Sequence, residues 1–307
     1  MALSGSYIGF HMQDPFEQWD VMHNHAYLAG NQFRLLKSFH PEDYRALQAV
    51  SPGTAFIYRH HIQQSHQGEF IERAGQGPAQ ADAAADDYIR QFSDSVNQYM
   101  DGEGYAESVN EEYPTRNPDK LAKIVAFDRA FVRRLPVLCP GVKPIVFCAA
   151  VGNPDHHEYG ALVDLARETE AAGGAFGYHG YWTVHDRQSF VNNPGVARDL
   201  HMRWEVIDEY LVARGIRVNW MLGEVGATKG NADGYNPDVI EGWKSQNCWG
   251  GNEDAYLADI ANFDALIAGT RAAKDGRLIG ATIFTSRPGD GGAWRYFNVT
   301  GSMAWKV

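Results

Sequence analysis

A chain of 307 residues with 44% hydrophobic content can bury a sizeable core, and its length suits either two ordinary domains or one large α/β barrel. A formal net charge of −11 excludes a nucleic acid or an anionic membrane as the expected partner, because both reward clustered Lys and Arg. Three cysteines, Cys139, Cys148 and Cys248, are odd in number and follow no metal-ligand spacing, so they are read as thiols rather than as a disulfide framework or a zinc site.

The first residues, Met1 to Ile8, lack the basic region and apolar run of a signal peptide, and no segment approaches the roughly 20 apolar residues of a membrane span. A soluble chain is expected, with secretion of a longer precursor left open. Eight Trp, fifteen Tyr and fifteen Phe exceed what a core of this size requires, and flat rings at a surface stack on the apolar faces of sugars. Most of these rings are nevertheless expected in the core.

Taken in chain order, eight short apolar or β-branched runs read as strands: Tyr7 to Met12, Phe33 to Phe39, Ala55 to Ile62, Tyr105 to Asn110, Pro144 to Ala150, Ala175 to Trp182, Arg217 to Gly223 and Leu278 to Thr285. Helical stripes separate most of them. Tyr88, Phe92, Val96 and Tyr99 form one, in a helix expected to begin near Asp82 to Asp87; Leu121, Ile124, Val125 and Phe131 form the next. Later stripes are Tyr159, Leu162 and Leu165; Leu200, Trp204, Ile207 and Leu211; and Tyr256, Ile260, Phe263 and Ile267. Gly173-Gly174 and Gly215 are helix stops.

Eight strands alternating with helices predict a single (β/α)8 barrel, a TIM barrel, over residues 1–307. The rival, a doubly wound open sheet, usually carries a Gly-rich phosphate fingerprint after its first strand when it binds dinucleotides, and this chain has none there. In a barrel the segments after each strand gather at one face, where chemistry is placed. Two of these segments are long: Gln63 to Ala81, polar and Gly-rich, and Val225 to Asn252, which carries Trp243 and Trp249. The second is expected to wall a substrate cleft.

Two strand ends finish in glutamate. Asn110-Glu111 closes the fourth run and Glu224 follows the seventh. Paired carboxylates from separate strands are what retaining glycoside hydrolysis uses, one giving a proton while the other attacks the sugar carbon. Glu107 lies within its strand and Glu112 is expected to point to the other side, so neither is taken as the acid. Twelve histidines are present, several adjacent, but His156-His157-Glu158 opens a helix after Asn153-Pro154-Asp155, where capping explains it, and no metal site is expected. His11 and His179, near strand ends, are expected to face the cleft.

In these residues the chain resembles clan A of the glycoside hydrolases, and within it the cellulase- and mannanase-like pattern of family 5. The resemblance implies an acid/base Glu preceded by Asn after strand four (Asn110-Glu111) and a nucleophilic Glu after strand seven (Glu224). It also implies an Arg on strand two that contacts the nucleophile (Arg34), a His at the end of strand three (His60 or His61, with His61 preferred), and a His-x-Tyr on strand six whose Tyr hydrogen-bonds the nucleophile (His179 and Tyr181). The pattern spans nearly the whole barrel without continuous sequence similarity. The chain departs from it after strand eight, where a Trp commonly lies beneath the first sugar and this chain has Ile283-Phe284-Thr285-Ser286. Trp294 is the candidate replacement, and Trp182, Trp243 and Trp249 are further candidates for sugar contact. A second departure is that Glu112 stands directly after Glu111, where a Pro is more usual.

The physical roles follow from the residue types. An acid must still hold its proton at neutral pH, and Glu111 would do so by feeling the negative charge of Glu224. A nucleophile needs donors and positive charge that keep it ionised. Asn110 would hold the hydroxyl beside the reacting carbon. The expected activity is thus double-displacement hydrolysis of a β-linked oligo- or polysaccharide, the β linkage being implied by the resemblance, with no cofactor. The alternatives are a cell-wall lytic enzyme acting on peptidoglycan with the same carboxylates, and a carbohydrate-binding barrel without turnover. The oligomeric state is left open.

Overall fold

In a computed structural model, described for residues 6–12, 34–114, 116–183, 198, 200–228, 242–244 and 250–286, eight parallel strands close into a barrel in sequence order. The strands are β1 (Ile8–Met12), β2 (Leu35–Ser38), β3 (Ala55–Tyr58), β4 (Tyr105–Glu107), β5 (Lys143–Ala149), β6 (Ala175–Thr183), β7 (Asn219–Thr228) and β8 (Leu278–Ser286). β1 pairs with both β2 and β8, which closes the ring. The (β/α)8 barrel expected from the alternating pattern is therefore the observed fold.

Among the described residues the surrounding helices are α1 (Asp43–Val50), α2 (Gln64–Ala74), α3 (Pro78–Arg90), α4 (Ser93–Tyr99), α5 (Pro118–Leu138), α6 (Val163–Ala171), α7 (Arg203–Val212), α8 (Glu253–Ala268) and α9 (Arg271–Lys274), with a 3-10 turn at His156–Leu162. The segment from Gln63 to Ala81 was expected as a loop and is instead α2 and the start of α3. Most of its polar residues face solvent, while Gln67, Ile71, Ala74 and Ala81 are buried. The stripe from Tyr88 to Tyr99 belongs to two helices, because the chain breaks at Gln91 and Phe92 between α3 and α4. Asp155 caps the 3-10 turn at His156 in a reciprocal pair with Glu158, as the capping reading of that histidine pair expected.

Alternation along the strands sorts side chains into two sets. Inside the barrel, Leu35, Ile57, Ile145, Cys148, Ala175 and Met221 form a small buried cluster of their own. Outward residues build the larger core between sheet and helices, where Trp182 stacks on Phe263 at 5.1 Å and Trp204 meets Trp220 at 5.5 Å. Gly9 is required by closure: a Cβ there would lie 1.8 Å from the Leu35 carbonyl oxygen of β2. No helix among the described residues is long and apolar enough to cross a membrane.

Candidate active site

One bulge aims Glu224 into the barrel. Along β7, Met221 points in and Leu222 out, so strict alternation would turn Gly223 in and Glu224 out. Tyr178 of β6 pairs with Leu222 but the next residue, His179, pairs with Glu224, so Gly223 is an extra residue that returns Glu224 to the interior. Gly is needed there, since a Cβ would lie 2.8 Å from Glu107 Oε1 and 3.1 Å from Lys37 Nζ.

Glu224 is 4% exposed and sits among donors from four strands. Arg59, just past β3, contacts its Oε1, and Lys37 Nζ of β2 lies 3.5 Å from the same oxygen. His11 Nδ1, on β1, is 3.7 Å from Oε1. On the other oxygen, the Tyr181 hydroxyl donates to Oε2 at 2.7 Å and His179 Nδ1 is 3.6 Å away. Burial by itself would push the Glu224 carboxyl up, but His179, Lys37 and Arg59 outweigh it and hold the group well below the usual carboxylate range. Burial and the neighbouring Lys37 keep His11 well below the ordinary histidine value, so it is a neutral ring packed against Phe39 and Phe284. Burial, with the negative charges of Glu224 and Glu111, raises Tyr181 well above its usual range, which keeps its phenol protonated as a donor.

Glu111 follows β4 through a short bridge, in which Asn110 pairs with Cys148 and the Glu111 N–H donates to the Cys148 carbonyl at 2.9 Å. Its φ of 54° lies in the left-handed region, which is uncommon for a residue other than glycine and is found at functional sites. The conformation turns its carboxylate toward the barrel axis, where Oε1 lies 2.6 Å from His179 Nδ1. With a side chain 35% exposed against 6% for Glu224, Glu111 is the member of the pair open to solvent. One oxygen from each carboxylate and a nitrogen of His179 lie within 4.8 Å of one another. That spacing also suits a cation, but Lys37 and Arg59 already supply positive charge to Glu224.

Two supports hold this turn. Gln67 of α2 accepts the Asn110 N–H at 2.6 Å. Buried Asp128 of α5 accepts both the Tyr113 hydroxyl, at 2.5 Å, and the Phe147 N–H of β5, at 3.0 Å, tying the chain just after Glu111 to the strand beside it. Burial raises the Asp128 carboxyl from 3.8 to about 6, although the hydrogen bonds from Tyr113 and Phe147 work the other way. Between those values the folded chain keeps a proton here that the unfolded chain has released. This group therefore favours folding at the acid end, and its contribution is lost as pH rises through the window, by about 3 kcal/mol in all. Asp128→Asn, neutral throughout, should remove that dependence: the difference in urea-unfolding free energy between variant and parent should change from pH 4 to pH 6 and be flat above about 7.

The structure brings together Glu111, Glu224, His179 and Tyr181, with Asn110 beside them. Arg34 is a correction. It precedes β2, at the end of the barrel away from these carboxylates, and its guanidinium lies 4.1 Å over the Tyr7 ring. The cation that meets Glu224 is Arg59, which shares the inward parity of Ile57, and Lys37, which shares that of Leu35, is the second. His61 packs on Phe39 at 5.1 Å, while its neighbour His60 turns outward onto Tyr88 and Phe92. Trp182 is also a correction: it stands one position from Tyr181, hence on the opposite face, and is fully buried against α8. Trp243 is buried too, stacked on Tyr256 with centroids 5.1 Å apart, so it presents no open sugar platform. Trp249 and Trp294 lie outside the described residues, as does most of the long segment after β7. Phe284, at the interior end of β8, stands between His11 and Tyr181. Glu112 points away from the site to pair with Lys120 of α5 at 2.8 Å, whereas Glu107 is inside the barrel, bonded to Lys37.

No family model matches the sequence, and no curated protein does. Solved structures match by shape. A bacterial orthologue of human α-L-iduronidase aligns over 97% of this chain with a TM-score of 0.50 and 13% identity, and the chain spans about half (51%) of that protein's length. A β-1,3-glucanase and pollen allergen of Cryptomeria japonica, CJP38, aligns over 95% of both chains with a TM-score of 0.48 and 13% identity. A plant β-glucan endohydrolase aligns over 90% of both with a TM-score of 0.46 and 13% identity. The likeness to the iduronidase orthologue is one of fold, and it fits the resemblance to the clan A barrels read from the sequence.

Proposed function

We propose that this protein is a retaining glycoside hydrolase that cleaves a β-linked glycan by double displacement, with Glu111 as acid/base and Glu224 as nucleophile. The observation that carries the reading is the asymmetry of the pair. Two carboxylates with oxygens within 4.8 Å share one imidazole, yet one is buried among cations and the other is open to solvent. Oxygens this close accord with the roughly 5 to 5.5 Å carboxyl separation of retaining enzymes. The fold shared with the iduronidase orthologue is consistent with this reading.

In the first step Glu111 protonates the departing oxygen while Glu224 Oε2, the oxygen on the side of His179, bonds to the sugar carbon. Glu224 is ionised for attack, and the Tyr181 hydroxyl and His179 orient it. In the second step Glu111, now a carboxylate, takes a proton from water, which attacks the same carbon and releases Glu224. In this reading Asn110, beside Glu111, holds the adjacent hydroxyl, where hydrogen bonds that tighten in the transition state lower the barrier.

The test is a panel of 2,4-dinitrophenyl β-glycosides and polysaccharides, with proton NMR following the first anomer released. β-Product formed before mutarotation is expected, and a 2-deoxy-2-fluoro glycoside should leave a sugar ester on the peptide that contains Glu224. First release of the α-anomer would overturn the mechanism.

A further inference from the structure

Beneath the nucleophile lies an ion pair that double displacement does not by itself require. Lys37 is fully buried inside the barrel, and its Nζ is 2.9 Å from Glu107 Oε1 and 2.8 Å from Oε2. Glu107 is 1% exposed. The same Nζ lies 3.5 Å from Glu224 Oε1, the oxygen that Arg59 also contacts, and the missing side chain of Gly223 makes the room for this arrangement. Burying two ions here costs several kcal/mol that apolar side chains of similar size would avoid.

Resting on the retaining reading, we propose that Lys37, held by Glu107, is a positioning residue for the second chemical step, acting through Glu224 Oε1. In the free protein Lys37 and Arg59 balance Glu107 and Glu224. Once the sugar is bonded to Oε2, Glu224 is a neutral ester and Oε1 its carbonyl oxygen, so two cations face one carboxylate. Both cations then draw electron density toward Oε1 and weaken the bond between Oε2 and the sugar carbon. When water attacks that carbon and gives its proton to Glu111, the bond to Oε2 breaks, its electron pair returns to Glu224, and charge balance is restored. Lys37 thus opposes formation of the ester and favours its breakdown, and Glu107 tempers both effects by sharing the ammonium. The other groups facing Glu224 are His11 from β1, Glu111 after β4, and His179 and Tyr181 from β6. Among all these, Lys37 and Arg59 are the cations on Oε1.

The test uses the dinitrophenyl glycoside that the unaltered protein turns over, whose leaving group makes the second step limiting. The double variant Lys37→Met with Glu107→Leu keeps the floor filled without stranding either charge. It should lower kcat by about 100-fold, the scale of losing one fixed donor at a site of developing charge. KM should fall with it by more than kcat, so that kcat/KM rises, and sugar ester should dominate the intact mass spectrum during turnover. Glu107→Gln releases Lys37 toward Glu224 and should move KM the other way, upward. A merely structural pair would lower kcat and kcat/KM together in both variants, and that result, or an unmoved KM, overturns the assignment. If the unaltered protein forms no ester on Glu224, the retaining reading is what fails. If the ester forms and KM moves in neither variant, only the role of Lys37 does.

Discussion

Replacing Glu224 with Ala is expected to reduce turnover by about 10⁵-fold on every substrate, with the far-ultraviolet circular dichroism of the parent retained. The loss should be of this size because no other carboxylate among the described residues is placed to attack. Glu107 lies beneath Glu224 and is engaged by Lys37, and Glu112 faces α5. The fold should persist because Lys37 keeps Glu107 as its partner when Glu224 is gone and the apolar core between sheet and helices is untouched. Lys37 and Arg59 would then border a small site that favours an anion. Sodium azide should enter it, attack the sugar carbon of an activated glycoside from the face Glu224 uses, and yield an α-glycosyl azide. Undiminished hydrolysis by the purified Glu224→Ala protein would remove the proposed mechanism.

The second large effect should depend on the leaving group. Glu111→Ala is expected to cost about 10⁴-fold on an unactivated glycan, which needs a proton from Glu111, the upper end of what one acid/base group contributes. On a dinitrophenyl glycoside the first step needs no proton, so kcat/KM should hardly change while kcat falls for want of a base in the second. Azide should again restore turnover, this time by attacking the sugar ester from the side where water normally enters, and the product should be the β-glycosyl azide. Opposite anomers from the two variants would assign the two roles independently of any structure. The same anomer from both would show that the roles had been misread.

The barrel was legible in the sequence because its evidence is repetitive: eight apolar runs and the helical stripes between them each carry the same message. The paired carboxylates were legible as candidates because Asn110-Glu111 and Glu224 stand where apolar runs of the sequence end, although β7 itself continues past Glu224 to Thr228. What escaped was which way particular side chains face. Arg59 and Lys37 could have been found by counting in twos from Ile57 and Leu35, and the same count places Trp182 opposite Tyr181. Counting in twos fails at Glu224, however, because the bulge at Gly223 adds a residue, and that bulge shows only when β6 and β7 are paired. Gln67 was hidden for another reason. A polar, Gly-containing stretch reads as loop, but α2 and α3 are stabilised by packing on α5, which local sequence does not display.

The buried pair under Glu224 also constrains how this barrel can change over generations. Loss of Lys37 alone strands Glu107, and loss of Glu107 alone leaves Lys37 with only the partly shared Glu224, so breaking the pair from either side costs about 3 to 5 kcal/mol. Since that is a large share of the margin by which a typical domain stays folded, either single substitution tends to be lost before the second can arrive. The route to an apolar floor therefore needs both positions to change together, and Gly223 to accept whatever fills the space. A fitness landscape of this kind holds an ionic floor in place even where a hydrophobic one would be as stable.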